Sequence, residues 1–114
     1  MREIKFRCWN ASAGVMQSWN DMVALNKIHL LAEQKPSYPI MQFTGLKDAN
    51  GVDIYEGDIV EIKFDDGCIN MVVKFDRCQF YLDGEGFWSM SGSGGKFKVI
   101  GNIHQNPELL EVQE

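Results

Sequence analysis

The sequence predicts a mainly β fold (a β-rich α+β chain), built as a small barrel- or sandwich-like antiparallel sheet of about seven to eight short strands. One short helix near 20–34 and a C-terminal helical turn complete it. Three observations carry this expectation. Several runs alternate apolar and polar residues, as strands with one buried face require. Turn signals built from Gly, Asp and Asn recur at short intervals. One stretch only shows a helical period.

Ile4-Lys5-Phe6-Arg7-Cys8-Trp9 sets Ile4, Phe6 and Cys8 on one strand face, and Lys5, Arg7 and Trp9 on the other. Asn10 to Gly14 is a turn of small residues, and Val15 to Trp19 returns as the second strand of a hairpin. In Asn20–Gln34, Met22, Leu25, Ile28 and Leu31 recur every third residue, with Ala32 on the same stripe. Asn20 or Asp21 would cap this helix, and Lys35-Pro36 would end it. One or two short strands are the alternative reading of the same stretch.

Ile40 to Phe43 is extended, and Asp48-Ala49-Asn50-Gly51 turns the chain through an Asn-Gly pair that tolerates positive φ at two successive positions. Ile54-Tyr55 precedes a second turn, Glu56-Gly57-Asp58. Val60, Ile62 and Phe64 then alternate up to Asp65-Asp66-Gly67, and Ile69, Met71, Val73 and Phe75 continue on one face, with Val72 breaking the alternation. Two alternating runs around an Asp-Gly turn make the clearest hairpin signal in the chain. Gln79–Leu82 is a further strand, Asp83–Gly86 a loop, Phe87-Trp88 a brief strand, and Ser91–Gly95 a flexible connection. Phe97, Val99 and Ile103 mark the last strand. Asn106-Pro107-Glu108 then opens a helical turn, with Pro at its first position.

With 114 residues and 45% hydrophobic composition, one domain over 1–114 with its own core is expected. The net charge of −5 sets the chain against polyphosphate overall, which disfavours nucleic acid. Its apolar runs are a few residues long, against roughly 20 for a membrane span. No apolar leader follows Met1, so a cytoplasmic location and no membrane association are expected. Cys8, Cys68 and Cys78 form no CxxC pair and read as reduced thiols, mostly buried.

Three stretches, in order, carry a family resemblance. They are Met1-Arg2-Glu3-Ile4-Lys5-Phe6-Arg7 with Trp9; Met41 to Asp48 with Gly51 and Ile54 to Val60; and Val99-Ile100-Gly101-Asn102-Ile103 with Asn106 to Leu110. Together they resemble the YopX-like family. The resemblance implies a β-rich, oligomeric protein encoded by phage or prophage and working in a bacterial host cell. It brings no catalytic residues and no cofactor.

No constellation in the chain assembles a nucleophile, base and orienting group. His29, beside the apolar stripe, reads as a partly buried core neighbour, and His104 as a surface imidazole. Cys68, Cys78 and His104 make only a remote metal set, lacking a close ligand pair. Asp65-Asp66 and Asp83 with Glu85 are turn carboxylates. Ser91 to Lys96 lacks the Ser or Thr after Lys, and the following helix, of a phosphate loop. The candidate contact residues are Lys5, Arg7 and Trp9, cations and a stacking ring on one strand face, and Tyr55 and Glu56 in the central turn segment. Exposed aromatics such as Trp9, Tyr55 and Trp88 suit an interface. A non-enzymatic interaction or assembly module, a homo-oligomer with a host or phage protein as a further partner, fits these features with the fewest assumptions. A nucleic-acid-binding small β-barrel is the alternative, and an enzyme or metal site the third reading.

Overall fold

The computed structural model describes residues 3–33, 37–64, 67–76, 79–84, 86–89 and 97–110, with backbone alone at 64 and 86–89. The chain is mainly β, as expected, with nine strands among the described residues rather than seven or eight. It forms two compact units, Met1–Phe43 and Thr44–Glu114.

In the first unit, β1 (Phe6–Asn10) and β2 (Val15–Gln17) form the expected hairpin, in the register Cys8↔Gln17, Trp9↔Met16 and Asn10↔Val15. The Asn10 carbonyl accepts the Gly14 N–H at 2.8 Å, and the Asn10 side chain accepts the Ala13 N–H at 3.1 Å. The second strand stops at Gln17, short of the expected Trp19. Ser18 caps a helix there instead of Asn20 or Asp21. Its hydroxyl accepts the Asp21 N–H at 3.1 Å, and the Asp21 carboxylate accepts the Ser18 N–H at 3.3 Å. This reciprocal capping box satisfies two otherwise orphaned donors and places Trp19 in α1 (Trp19–Ala24).

The single helix expected near 20–34 is two short ones, α1 and α2 (Leu30–Glu33); Gln34, Lys35 and Pro36 lie outside the described residues. Asn26 ends α1 in the left-handed region, at φ 57°, which Asn tolerates better than most residues. The break destroys the period of three. Met22 and Leu30 fill the core with Cys8, flanked by Trp19, Leu31, Tyr38 and Ile40, while Leu25 and Ile28 are exposed. Phe6 reaches Trp19 with ring centroids 6.0 Å apart. Phe6 and Cys8 therefore share one face, as expected, and it meets the helices. Ile4 does not: it precedes β1 and is 69% exposed.

β3 (Ile40–Lys47) pairs with β1 through Phe6↔Gln42, Arg7↔Met41 and Cys8↔Ile40, and the boundary between the units falls within it. In the second unit, β4 (Asp53–Tyr55) neighbours β3. The five remaining strands are β5 (Asp58–Phe64), β6 (Gly67–Asp76), β7 (Gln79–Gly84), β8 (Gly86–Ser89) and β9 (Phe97–Asn102). They form one antiparallel sheet in the order β8-β7-β6-β5-β9. The strongest hairpin signal is realised as β5–β6, closing at Phe64↔Gly67; Asp65 and Asp66 lie outside the described residues.

Ile54, Val60, Ile62, Met71, Val73, Leu82 and Phe97 form the core of this unit. Val72, the exception to alternation, pairs with Ile59 on the reverse face, and both are buried. Asn70 ties the C-terminal helical turn (Pro107–Leu110) to β6 by donating its amide to the Leu109 carbonyl at 3.0 Å. Three local expectations change. β7 runs on through Asp83-Gly84 and turns tightly at Gly84↔Gly86, where a longer loop was expected. Phe75 is half exposed and packs on Phe80, its cross-strand partner, at 4.8 Å. Ile103 lies past the end of β9 and is exposed. Ser91–Gly95 falls outside the described residues.

Candidate interaction surface

The polar residues that stand out in the sequence of the second unit are bound to its own backbone. Asp48 is buried, and one carboxylate oxygen accepts the N–H groups of Asn50 at 2.8 Å and Val52 at 2.9 Å. The other oxygen accepts the Val99 N–H at 2.9 Å, while Ala49 N–H donates to the Phe97 carbonyl at 3.0 Å. β9 is an edge strand, so Asp48 and its turn cover backbone groups that an open edge would offer to another chain. Only Gly51 of the Asn-Gly pair has positive φ, 82°, because the Asp48 carboxylate shapes this turn in place of two left-handed residues. Burial opposes ionisation of Asp48. The three N–H groups of Val99, Val52 and Asn50, helped by the Lys98 charge, outweigh it and hold the carboxyl below its ordinary pKa.

The other motif residues follow suit. Asp58 is buried and accepts the Tyr55 N–H at 2.7 Å. Gly57, at φ 87°, donates to the Val73 carbonyl at 2.8 Å and accepts the Ile103 N–H at 3.0 Å, a knot where a Cβ would be strained. Thr44 donates its hydroxyl to the Ile54 carbonyl at 2.8 Å. The Asn102 side chain accepts the His104 and Gln105 N–H groups, both at 3.0 Å. A Cβ on Gly101 would lie 2.5 Å from Oδ1 of Asn106. Segment Thr44–Val60 is a scaffold of corners.

The sequence-derived contact residues divide between the units. Lys5, Arg7 and Trp9 sit in the first, and all three are half-buried. Lys5 lies over the Phe43 ring, 4.6 Å from its centroid, and 3.4 Å from Glu3; its side chain is only 17% exposed. Met41, the register partner of Arg7, is buried, so this strand face is no open cationic surface. Tyr55 and Glu56 sit in the second unit, half-buried at the corner that Asp58 organises.

His29 is exposed, against the expectation of a core neighbour, because the helix that would have buried it ends at Ala24. His104 is half-buried. Cys8 is buried, and burial raises its thiol pKa despite the nearby Lys27 charge. Cys68 is exposed on β6, where a core position was expected; Cys78 lies outside the described residues, as do Glu85 and Lys96. Among the described residues no group of three or more His, Cys, Asp or Glu is placed to hold a metal ion, and no helix is long and apolar enough to cross a membrane.

The feature that sequence reading missed is the α1–α2 corner. Val23 is 55% exposed, Leu25 57% and Ile28 38%, within six residues of chain. Covering the exposed parts of these three would gain roughly 3 kcal/mol before ordering costs. The signal was present: Val23 adjoins the core residue Met22, so the two cannot share one helical face.

A family model described as YopX protein matches residues 5–111. Protein EF1440 from Enterococcus faecalis has a similar crystal structure, with 27% sequence identity and a TM-score of 0.69 over 97% of this chain and 100% of that one. Protein yopX from Bacillus subtilis covers the same shares at 23% identity and a TM-score of 0.65, a likeness of fold. No curated protein matches the chain.

Proposed function

This chain belongs to the YopX protein family, and we propose that it is a non-enzymatic interaction or assembly module, encoded by phage or prophage and working in the cytoplasm of the bacterial host. The exposed aliphatic corner of Val23, Leu25 and Ile28 carries this reading. The same short segment places Met22 and Leu30 in the core. Apolar residues exposed beside core-anchored ones suit partner contact. Asp48, Asp58 and Asn102, the polar residues that draw the eye as reactive groups, have scaffolding roles. Nucleic acid is less favoured, since Lys5 is engaged by Phe43 and Glu3.

Size-exclusion chromatography of a lysate from producing cells tests the reading. The expected result is elution of the full chain above the 13.0 kDa of one copy, reduced by Leu25→Asp at unchanged melting temperature. Elution as a single copy in both cases contradicts it. Retardation of single- or double-stranded nucleic acid at low ionic strength, absent at high salt, transfers support to the alternative.

A further inference from the structure

Asn50 and Gly51 form the only Asn-Gly pair in the chain; the other asparagines precede Ala, Asp, Lys, Met, Ile or Pro. In such a pair the glycine amide nitrogen can close on the asparagine side-chain carbonyl as a succinimide ring. Glycine sets no Cβ against the incoming carbon. The surroundings are open: both residues are exposed, and beyond its chain neighbours nothing lies within 4 Å of where a Gly51 Cβ would stand. The hydrogen bonds of the turn oppose that closure. Gly51 N–H donates to the Asp48 carbonyl at 3.0 Å, so the nitrogen that must lose its proton is engaged. On either side of it, the N–H groups of Asn50 and Val52 bind one oxygen of the Asp48 carboxylate, at 2.8 and 2.9 Å. That carboxylate is buried and held ionised, and a second negative charge on the nearby Gly51 nitrogen is costly beside it. Its other oxygen anchors the turn to Val99.

We infer that Asn50-Gly51 is a self-modification site, closed while Asp48 clasps the turn and converted to isoaspartate when the turn opens. The Gly51 nitrogen gives its proton to hydroxide and bonds to Cγ of Asn50, whose NH2 group takes a proton from water and leaves as ammonia. Water then opens the succinimide at either carbonyl, giving aspartate or isoaspartate, with no oxidant or reductant. Isoaspartate routes the backbone through Cβ and Cγ, which makes the chain one methylene longer. The turn is closed at fixed length, by Asp48 N–H on the Val52 carbonyl at 2.8 Å and Gly51 N–H on the Asp48 carbonyl. The lengthened chain, with a new carboxylate near that of Asp48, cannot rebuild both bonds, and Val99 loses its anchor. Conversion therefore uncovers the β9 edge irreversibly.

Incubation of the purified full chain in mildly alkaline buffer, with isoaspartate at residue 50 quantified by peptide mapping, tests the site. Unfolded in guanidinium chloride, the chain should accumulate isoaspartate there roughly 10- to 100-fold faster than the native chain. Equal rates, or no isoaspartate in the unfolded chain, overturn the inference. Hydrogen exchange at the Gly51 amide of the native chain should show a protection that matches this ratio within about threefold, since both reactions need the same opening. A mismatch overturns control by the turn. Asp48→Asn should raise the native rate roughly tenfold or more, and an unchanged rate contradicts the role of the carboxylate. Should that variant lose its fold, the match between Gly51 protection and cyclisation in the parent chain decides alone. The isoaspartate form, separated chromatographically, should show Val99 protection lowered roughly tenfold; protection like the parent's contradicts the uncovering of the edge.

Discussion

The two units put their polar side chains to different use. In Thr44–Glu114, side chains that look reactive are buried and turned onto the backbone: Asp48 holds Asn50, Val52 and Val99, and Asp58 holds Tyr55. In Met1–Phe43, polar side chains bind the backbone near the surface, in the capping box of Ser18 and Asp21 and in the Asn10 turn, while Val23, Leu25 and Ile28 stand exposed. A carboxylate in a Gly-rich turn is therefore weak evidence of chemistry until its hydrogen bonds are traced.

Substitutions can break or sharpen this contrast. The largest effect is expected for Asp48→Ala, which leaves three buried or edge N–H groups unpaired; urea unfolding should show a loss of about 3–5 kcal/mol. Gly57→Ala forces a side chain into the left-handed region at a buried knot, and about 2 kcal/mol should be lost by the same measure. Ser18→Ala removes half of the capping box and should cost about 1 kcal/mol, by urea unfolding followed through helical circular dichroism. Leu25→Ser should stay within about 0.5 kcal/mol of the parent, since its side chain is exposed. A loss as large as that of Asp48→Ala would erase the contrast.

Acid provides a further lever. A carboxyl whose folded pKa is depressed contributes stability that is fully present above its unfolded pKa, near 4, and is lost as pH falls through the folded value. Asp48 is such a group. The unfolding free energy should therefore fall below about pH 4, and Asp48→Asn should lack that part of the fall. Thiol labelling separates the cysteines in the native protein. Exposed Cys68 should react promptly, and Cys8, buried with a raised pKa, should react only on unfolding.

Much of the second unit was legible in the sequence because short-range rules govern it. Alternation located β5 and β6, and Gly51 and Gly57, in the two turns read from the sequence, both take positive φ. What stayed hidden was long-range: nothing near Asp48 in sequence announces a bond to Val99, fifty-one residues away. In the first unit, the helical period misled. A stripe of Met22, Leu25, Ile28 and Leu31 presumes one continuous helix, and a single left-handed Asn26 re-aims everything after it. The cationic strand face was correctly read as alternating with Phe6 and Cys8, yet alternation cannot show that Lys5 lies on Phe43.

Native-state hydrogen exchange at the Val99 amide tests the scaffolding role of Asp48 most directly. That N–H lies on an edge strand and points to a side-chain carboxylate rather than to a neighbouring strand. It should be protected in the parent chain, and Asp48→Asn should lower its protection roughly 10- to 100-fold while the amides of β1 are unchanged. Exchange of Val99 at an open-loop rate in the parent, or unchanged protection in the variant, would contradict it.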